Sequence, residues 1–180
     1  MLFELWVAFV LSWLILFPAY AANGLPVLTK GRKPLDFGKM WKGKRILGDG
    51  KTIEGTAIGL IVGFLVGALE FYLLPGLQTY ASSFGVAVPQ ITLFAAFMIA
   101  LGAIAGDLGG SFIKRRMGIS RGGKAPFLDQ LGFIILAIIF VYPFVHITLT
   151  MIVIMLIITF IVHRASNSLA HKMHLKNVPW

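Results

Sequence analysis

The chain has no cysteine and only seven acidic residues among its 180. Without cysteine, disulfide bonds and thiol chemistry are excluded, although this says nothing about the compartment. Charged residues make up only 13% of the chain, whereas apolar residues make up 58%. A soluble domain of this length cannot bury so many apolar side chains in its core. The composition therefore predicts a membrane protein.

Apolar runs that approach the thickness of a bilayer recur along the whole sequence. A transmembrane helix needs roughly 20 apolar residues. We assign five such spans, at 2–22, 53–74, 90–106, 127–143 and 146–163. The longest connection, 23–52, leaves no room for a separate soluble domain. The sequence thus predicts an all-α integral membrane protein in which 1–180 form a single multi-pass domain of the cell membrane.

The basic residues lie only in alternate connections and in the C-terminal tail. Eight lie between positions 30 and 51, five between 114 and 124, and three between 164 and 176, which accounts for all 16. The connections 75–89 and 143–147 contain none. Because Lys and Arg favour the cytoplasmic side, we expect an external N-terminus and cytoplasmic segments at 23–52, 107–126 and 164–180. The net charge of +9 is then a consequence of topology and of contact with membrane lipids, and no nucleic acid partner is expected.

Glycines recur at every fourth position in two of the spans. The second span carries Gly55, Gly59, Gly63 and Gly67, and the third carries Gly102, Gly106 and Gly110. This spacing places the glycines on one face of each helix, where they allow close approach of a neighbouring backbone. We interpret both faces as helix-packing surfaces.

The segment GDGKTIEG, at 48–55, lies directly before the second span. It is not a P-loop, because the glycine required five positions before Gly50 is replaced by Arg45 and no strand precedes it. Glycine amides, the Lys51 ammonium group and a helix N-terminus capped by Thr52 nevertheless suit an anionic ligand. Ordinary helix capping is the alternative interpretation.

Asp107 and Asp129 each lie where an apolar span meets the second basic connection. Carboxylates at such positions are costly unless they are paired or bind a cation, and they often mark function. If the third helix continues past Asp107, then Ser111 and Lys114 share its face. Hard oxygen ligands beside basic residues predict Mg²⁺ together with phosphate. Salt bridges between aspartate and arginine are the alternative.

Two motifs together resemble a known enzyme family. GDGKTIEG resembles the Ser-Pro-x-Lys-Thr-x-Glu-Gly element of membrane phosphatidate cytidylyltransferases, and 106–132, GDLGGSFIKRRMGISRGGKAPFLDQLG, resembles their second signature. The five-span form with KPLDFGK at 33–39 is more similar still to archaeal CDP-archaeol synthases. The chain departs from the bacterial-type pattern at Ala125 and after Asp129, so that one carboxylate of that signature is missing.

The resemblance implies transfer of CMP from CTP to 2,3-bis-O-geranylgeranylglycerol 1-phosphate, with release of pyrophosphate and with Mg²⁺ as cofactor. It implies that Asp107 and Asp129 bind the metal, with Asp36, Asp49 or Asp107 completing a second site if two ions are needed. It assigns Lys51, Lys114 and Arg115 to catalysis. The residues expected to bind nucleotide or phosphate are Asn23, Asp36, Lys44, Asp49, Gly50, Thr52 and Ser111. Asn23, the backbone of the first loop and Trp41 are equal candidates for reading the cytosine base.

A nucleophilic lipid phosphate needs no activating histidine, and no Ser-His arrangement is visible. The histidines at 163, 171 and 174 are interpreted as tail residues. The CDP-alcohol phosphotransferase cluster, Asp-Gly-x-x-Ala-Arg, is absent. A small transporter and a lipid-binding membrane protein stay open as alternatives, although the charges gather at one membrane face, whereas transport paths usually place polar groups at mid-membrane.

Overall fold

The structure is a computed structural model that describes residues 2–29 and 31–173. Within these residues it contains five α-helices: α1 Leu2–Gly24, α2 Ile53–Ser82, α3 Leu93–Arg116, α4 Pro126–Val141 and α5 Leu149–Lys172. A 3-10 helix, Leu25–Thr29, follows α1, and a small antiparallel hairpin pairs β1 Met40–Trp41 with β2 Lys44–Arg45. The part of the predicted tail from 174 onward lies outside the described residues.

The prediction of a helical integral membrane protein is confirmed. In the described part of the chain, four helices are long and apolar enough to cross a membrane, and α4 is a shorter apolar helix of 16 residues. The hairpin and an isolated antiparallel β-bridge between Pro34 and Thr52 are the departures from an all-α fold in these residues, and both lie within the first basic loop.

Several helices are longer than the predicted spans. α2 continues to Ser82, past the predicted end at 74, and α5 continues to Lys172, into the predicted tail. α3 continues to Arg116, past the predicted end at 106, so that half of the predicted loop 107–126 is helical. Its last turn carries three basic side chains, whose positive charges interact favourably with the negative end of the helix dipole.

Threonine side chains define the starts of three helices. Thr52, Thr92 and Thr148 precede α2, α3 and α5, and the hydroxyl of each accepts a hydrogen bond from the backbone N–H three residues later. The predicted cap at Thr52 is therefore confirmed. α4 begins instead with Pro126, whose fixed φ angle suits the first helical position.

The glycine faces pack as predicted. All of the glycines at 55, 59, 63 and 67 are buried in α2, and those at 102, 106 and 110 are buried in α3. The closest approach is between α3 and α4, where a Cβ atom on Gly106 would lie 2.2 Å from the carbonyl oxygen of Gly132. This crossing fixes the halves of α3 and α4 next to the second basic loop against each other, and each half carries one of the two predicted metal-binding aspartates.

Candidate active site at the basic end of the bundle

Parts of all five helices and the two basic loops enclose one cavity. Its volume is about 570 Å³. Ten of the twelve predicted site residues line it: Asn23, Asp49, Gly50, Lys51, Thr52, Asp107, Ser111, Lys114, Arg115 and Asp129. The two motifs that are separated in sequence thus meet at a single site, while Asp36 and Lys44 are not among the lining residues.

Each aspartate of the predicted metal site forms an ion pair with a lysine. The Nζ atom of Lys51 lies 2.7 and 2.6 Å from the two carboxylate oxygens of Asp107. The Nζ atom of Lys114 lies 2.5 Å from Oδ1 of Asp129, whose Oδ2 accepts a hydrogen bond from the backbone N–H of Ala125. The alternative of a salt bridge is therefore observed, with lysine as the partner in both cases.

The continuation of α3 determines the geometry of the cavity wall. Because the helix does not break at the two glycines after Asp107, the side chains of Asp107, Ser111 and Lys114 line the same cavity. Arg115 follows, and its side chain lies beside Gly48, with its Cδ atom 3.8 Å from the position a Cβ would take there. The Nε atom of Arg115 is buried and has no hydrogen-bond partner among the described residues. It is a donor that a phosphate oxygen would satisfy.

Asp36 is buried in the first basic loop and is not among the residues that line the cavity, so its predicted role in ligand binding stays a prediction. Its side chain is 1% exposed and pairs with Arg45 at 2.6 Å. It also accepts hydrogen bonds from the backbone N–H groups of Gly38, Leu47 and Gly48. The guanidinium group of Arg45, followed by these N–H donors, holds the pKa of the Asp36 carboxyl group well below its usual range. The carboxylate thereby fixes the loop that carries GDGKTIEG.

Lys44 also lies outside the cavity lining, and its predicted role in nucleotide binding stays a prediction. Its ammonium group donates to the carbonyl oxygen of Arg116, at 3.2 Å, and the Arg116 guanidinium group donates back to the carbonyl oxygens of Trp41, Lys44 and Arg45. Arg116 also lies over the rings of Trp41 and Phe112, which stack on each other. Trp41 is thus occupied in joining the hairpin to α3, and of the two side chains considered for base reading only Asn23 lines the cavity.

Sequence reasoning missed one wall of the cavity. The lining residues include Tyr20 from α1, Phe133 from α4, and His163 and Asn167 from α5. His163 was interpreted as a tail residue, yet it lies within α5, with its ring 6.2 Å from that of Phe133. The sequence does contain a signal for this wall, because polar side chains recur at helical spacing in the otherwise apolar segment that forms α5. Arg121, from the second loop, is a further lining residue that was not predicted.

The donor set fits a magnesium ion that is shared with a ligand. The described residues contain no group of three or more His, Asp or Glu able to hold a metal by themselves. They do place two carboxylates, Asp107 and Asp129, on one cavity with the Ser111 side chain. Mg²⁺ is commonly bound through one or two carboxylates together with substrate phosphates and water. The two aspartates would hold the ion once their lysine partners turn to a phosphate.

The fold and the site define a class. The chain is a multi-pass membrane protein whose helix ends enclose a cavity lined by four cationic side chains, Lys51, Lys114, Arg115 and Arg121, and by three acidic ones, Asp49, Asp107 and Asp129. Such a cavity suits an anionic ligand at the edge of the membrane.

Comparison with known proteins identifies the family. The family model described as CarS-like, CDP-archaeol synthase, matches residues 3–180. A CDP-archaeol synthase of Pyrococcus horikoshii is 47% identical over 169 residues, covering 93% of this chain and 94% of the relative, and one of Thermococcus gammatolerans is 48% identical with the same coverage. A solved structure of an intramembrane enzyme for archaeal membrane lipid biosynthesis has a TM-score of 0.71 at 37% identity and covers 86% of this chain and 90% of its own. The chain belongs to the CarS-like CDP-archaeol synthase family.

Membership of this family confirms the resemblance drawn from the two motifs. It also confirms the predicted class of enzyme, a CTP-dependent nucleotidyltransferase of the membrane. The residues that perform the reaction, the lipid that accepts the nucleotide and the metal stay predictions.

Proposed function

We propose that this protein transfers CMP from CTP to 2,3-bis-O-geranylgeranylglycerol 1-phosphate, giving a CDP-activated ether lipid and pyrophosphate, with Mg²⁺ as cofactor. The observation that carries this proposal is a cavity at the basic end of the helix bundle where Lys51, Lys114 and Arg115 meet Asp107 and Asp129. The names of the archaeal relatives support the choice of CTP and of an archaeal lipid.

The chemistry requires alignment and charge neutralisation more than an activated nucleophile. The second pKa of a phosphate monoester is roughly 6, so the lipid phosphate is largely dianionic near neutral pH. One of its oxygens attacks the α-phosphorus of CTP, and the bond between this phosphorus and the oxygen that bridges to the β-phosphate breaks. The electron pair leaves with pyrophosphate, and no proton has to be removed from the nucleophile.

The cationic side chains perform the electrostatic part of this reaction. Arg115 donates its unpartnered Nε–H to a phosphoryl oxygen, and Lys51 and Lys114 turn from their aspartates to the phosphates of the nucleotide. Asp107 and Asp129 are the residues that would hold a magnesium ion, which would supply further positive charge to the phosphates when bound. Together these groups offset the repulsion between the two anionic substrates and hold them in the alignment that the reaction requires.

The placement in the membrane follows from the basic loops and from the length of α4. We assign all five helices as spans, with the N-terminus outside and the basic end of the bundle in the cytoplasm, where CTP is available. At 1.5 Å per residue the 16 residues of α4 are about 24 Å long, less than the roughly 30 Å hydrocarbon core. We propose that the shortfall lies at the basic end, so that the first turn of α4, which carries Asp129, is slightly below the cytoplasmic surface and within reach of a lipid head group.

The test is release of pyrophosphate by the purified protein in detergent, with Mg²⁺, the geranylgeranyl ether-lipid phosphate and each nucleoside triphosphate in turn. We expect release with CTP well above the other nucleotides, and its loss in Asp107→Asn and Asp129→Asn. Glu4→Gln, which changes an acidic residue in the first turn of α1 and outside the cavity, serves as the matched control. Absence of release with every nucleotide, from folded protein and intact lipid, would favour a transporter or a lipid-binding protein instead.

A further inference from the structure

One face of α5 is polar, although the helix is otherwise apolar. Thr159, His163, Ser166 and Asn167 recur at spacings of four, three and one residues, which places them on the same side of the helix. The outer face carries Ile157 and Ile161, both more than half exposed, as expected of a lipid-facing surface. Polar side chains in a membrane helix are costly and usually serve packing or a ligand.

The inner half of this polar face serves packing. Thr159 is fully buried and accepts a hydrogen bond from the hydroxyl of Tyr20, at 3.0 Å, which joins α5 to α1. This contact fixes the depth and rotation of α5 relative to α1. The remaining polar residues, one turn and two turns farther toward the basic end, line the cavity. Packing between helices therefore accounts for Thr159 and leaves the cavity-lining residues to be explained.

His163 is held within the cavity wall by its neighbours. The amide nitrogen of Asn167, one turn later, lies 3.1 Å from Nδ1 of His163, and the Phe133 ring packs beside the imidazole. Because an amide nitrogen is only a donor, Nδ1 accepts and the neutral ring carries its proton on Nε2. Asn167 is 7% exposed, so this orientation is protected from solvent. The arrangement resembles that of a functional histidine whose ring is oriented by a second residue.

The surroundings of His163 differ from those of the cationic loops. Val162 beside it and Val27 from the 3-10 helix line the same cavity, together with Tyr20. The part of this wall that faces the cavity combines apolar side chains with a few uncharged polar groups, while His163 and Asn167 also line a small adjoining pocket with Lys124, Asp129 and Arg164. Lys51, Lys114, Arg115 and Arg121 supply the fixed positive charge of the main cavity from the loops and α3. A triphosphate matches the charged part of the cavity, and an amphiphile matches the mixed wall on the membrane helix.

We propose that His163, oriented by Asn167, is a specificity-determining residue that binds the phosphate head of the lipid acceptor. This inference rests on the proposed function, because it identifies which part of the cavity takes the second substrate. The imidazole N–H donates to an oxygen of the phosphate monoester, while Val27 and Val162 contact the first atoms of the lipid chains. The nucleotide is bound by the loops and does not depend on His163.

The test separates the two substrates kinetically. His163→Ala is compared with wild type in mixed micelles in which the mole fraction of geranylgeranyl ether-lipid phosphate is varied at saturating CTP, and then CTP is varied at saturating lipid. Loss of a hydrogen bond to a charged group is expected to raise the KM for the lipid by at least about tenfold. The KM for CTP should stay within about twofold of the wild-type value, because a group that does not touch the nucleotide removes none of its binding energy.

Three further variants keep the test decisive. His163→Gln offers an amide N–H in place of the imidazole and should recover part of the lipid affinity, and Asn167→Ala should weaken it by releasing the ring. His146→Ala changes an exposed histidine between α4 and α5 that does not line the cavity, and it should match wild type. Thermal unfolding of each variant in detergent identifies any that fail to fold. An unchanged lipid KM in His163→Ala, or a rise in the KM for CTP instead, would overturn the proposal.

A binding measurement distinguishes this proposal from the proposed function. Retention of radiolabelled ether-lipid phosphate by the immobilised protein is measured in Mg²⁺ without CTP. Wild type that retains the lipid but releases no pyrophosphate with CTP would contradict the proposed reaction, while weaker retention by His163→Ala would still support the role of His163. Equal retention by wild type and His163→Ala would overturn that role even in an active enzyme.

Discussion

Lys51 donates hydrogen bonds to both carboxylate oxygens of Asp107, a residue 56 positions away in sequence. The pair joins the loop before α2 to the middle of α3 and thus brings the two motifs together. The Lys51 side chain is 26% exposed and that of Asp107 31%. An ion pair so open to solvent contributes only about 0–1 kcal/mol to stability. Lys51 can therefore exchange Asp107 for a phosphate at little cost.

Lys51→Met should separate function from stability. We expect a fall in kcat/KM for CTP on the order of 100-fold, because one electrostatic contact to the transferred group is lost. The midpoint of thermal unfolding should change little, since the ion pair is weak. Pyrophosphate release and unfolding in detergent are measured on the same preparations.

Lys39→Met is the matched control for Lys51→Met, because Lys39 is an exposed lysine of the same loop outside the cavity lining. It should retain wild-type activity. If Lys39→Met lost as much activity as Lys51→Met, the effect would reflect the net charge of the loop and not the position of Lys51.

Arg116→Met should release the hairpin from α3. Arg116 donates to three backbone carbonyl groups of the hairpin and lies over the Trp41 and Phe112 rings. Hydrogen bonds from a charged group contribute about 1.5–3 kcal/mol each when buried, and less when partly exposed as here. Hydrogen exchange at 40–45 should accelerate by at least about tenfold, which corresponds to 1.4 kcal/mol. Exchange in α5 should be unchanged, and uniform acceleration through the molecule would contradict a local role.

The parts of the site that the sequence predicted are those governed by local rules. Asp107 and Asp129 were predicted as site residues because they lie at the ends of apolar runs, where a carboxylate is costly in a membrane. Helical periodicity placed Ser111 and Lys114 beside Asp107, and α3 does continue through this stretch. The glycine spacing predicted the packing faces for the same reason, since a helix repeats every 3.6 residues.

The parts that the sequence did not predict depend on contacts between distant residues. Asp36 was assigned to ligand binding, but it binds Arg45 and three backbone N–H groups within a folded loop that has no periodic pattern. The contact between Lys44 and the end of α3 was not predicted, because it depends on the turn of the hairpin. His163 had a readable signal, a polar face on an apolar helix, but without the bundle nothing indicated that this face points into the cavity.

Asp36 should make the order of the first loop depend on pH. Its pKa is lowered in the folded protein by Arg45 and by the backbone N–H groups, so the folded state favours the ionised carboxylate. The stabilisation is therefore complete above the unfolded pKa of about 3.9 and is lost as the pH falls below it toward the lower folded value. Hydrogen exchange at Leu47 and Gly48, corrected for the intrinsic rate, should stay slow at pH 5 and accelerate below about pH 4.

Asp36→Asn should remove this transition and accelerate exchange at neutral pH as well. Asp49→Asn is the matched control, because Asp49 pairs with the same Arg45 but its side chain is 59% exposed. It should retain the slow exchange and the acid transition. Equal acceleration in both variants would mean that Arg45, and not the buried Asp36 carboxylate, sets the order of the loop.

Gly106→Ala should destabilise the crossing of α3 and α4. A Cβ atom at this position would lie 2.2 Å from the carbonyl oxygen of Gly132 and 2.6 Å from the Cα atom of Phe133. Both are backbone atoms, so one helix has to move away from the other. Overpacking of this kind costs about 1–3 kcal/mol. We expect a lower unfolding midpoint in detergent, together with reduced activity, because the displacement separates Asp107 from Asp129.

Gly109→Ala tests the same helix without the same contact. A Cβ atom at Gly109 would have no neighbour within 4 Å, although the residue lies less than one turn from Gly106 in α3. Alanine is favoured over glycine inside a helix by about 1 kcal/mol, so this variant should match or exceed wild-type stability. If both variants lowered the midpoint equally, backbone freedom in α3 would be the cause. A loss confined to Gly106→Ala would instead establish that the close approach of α3 and α4 holds the two carboxylates at one site.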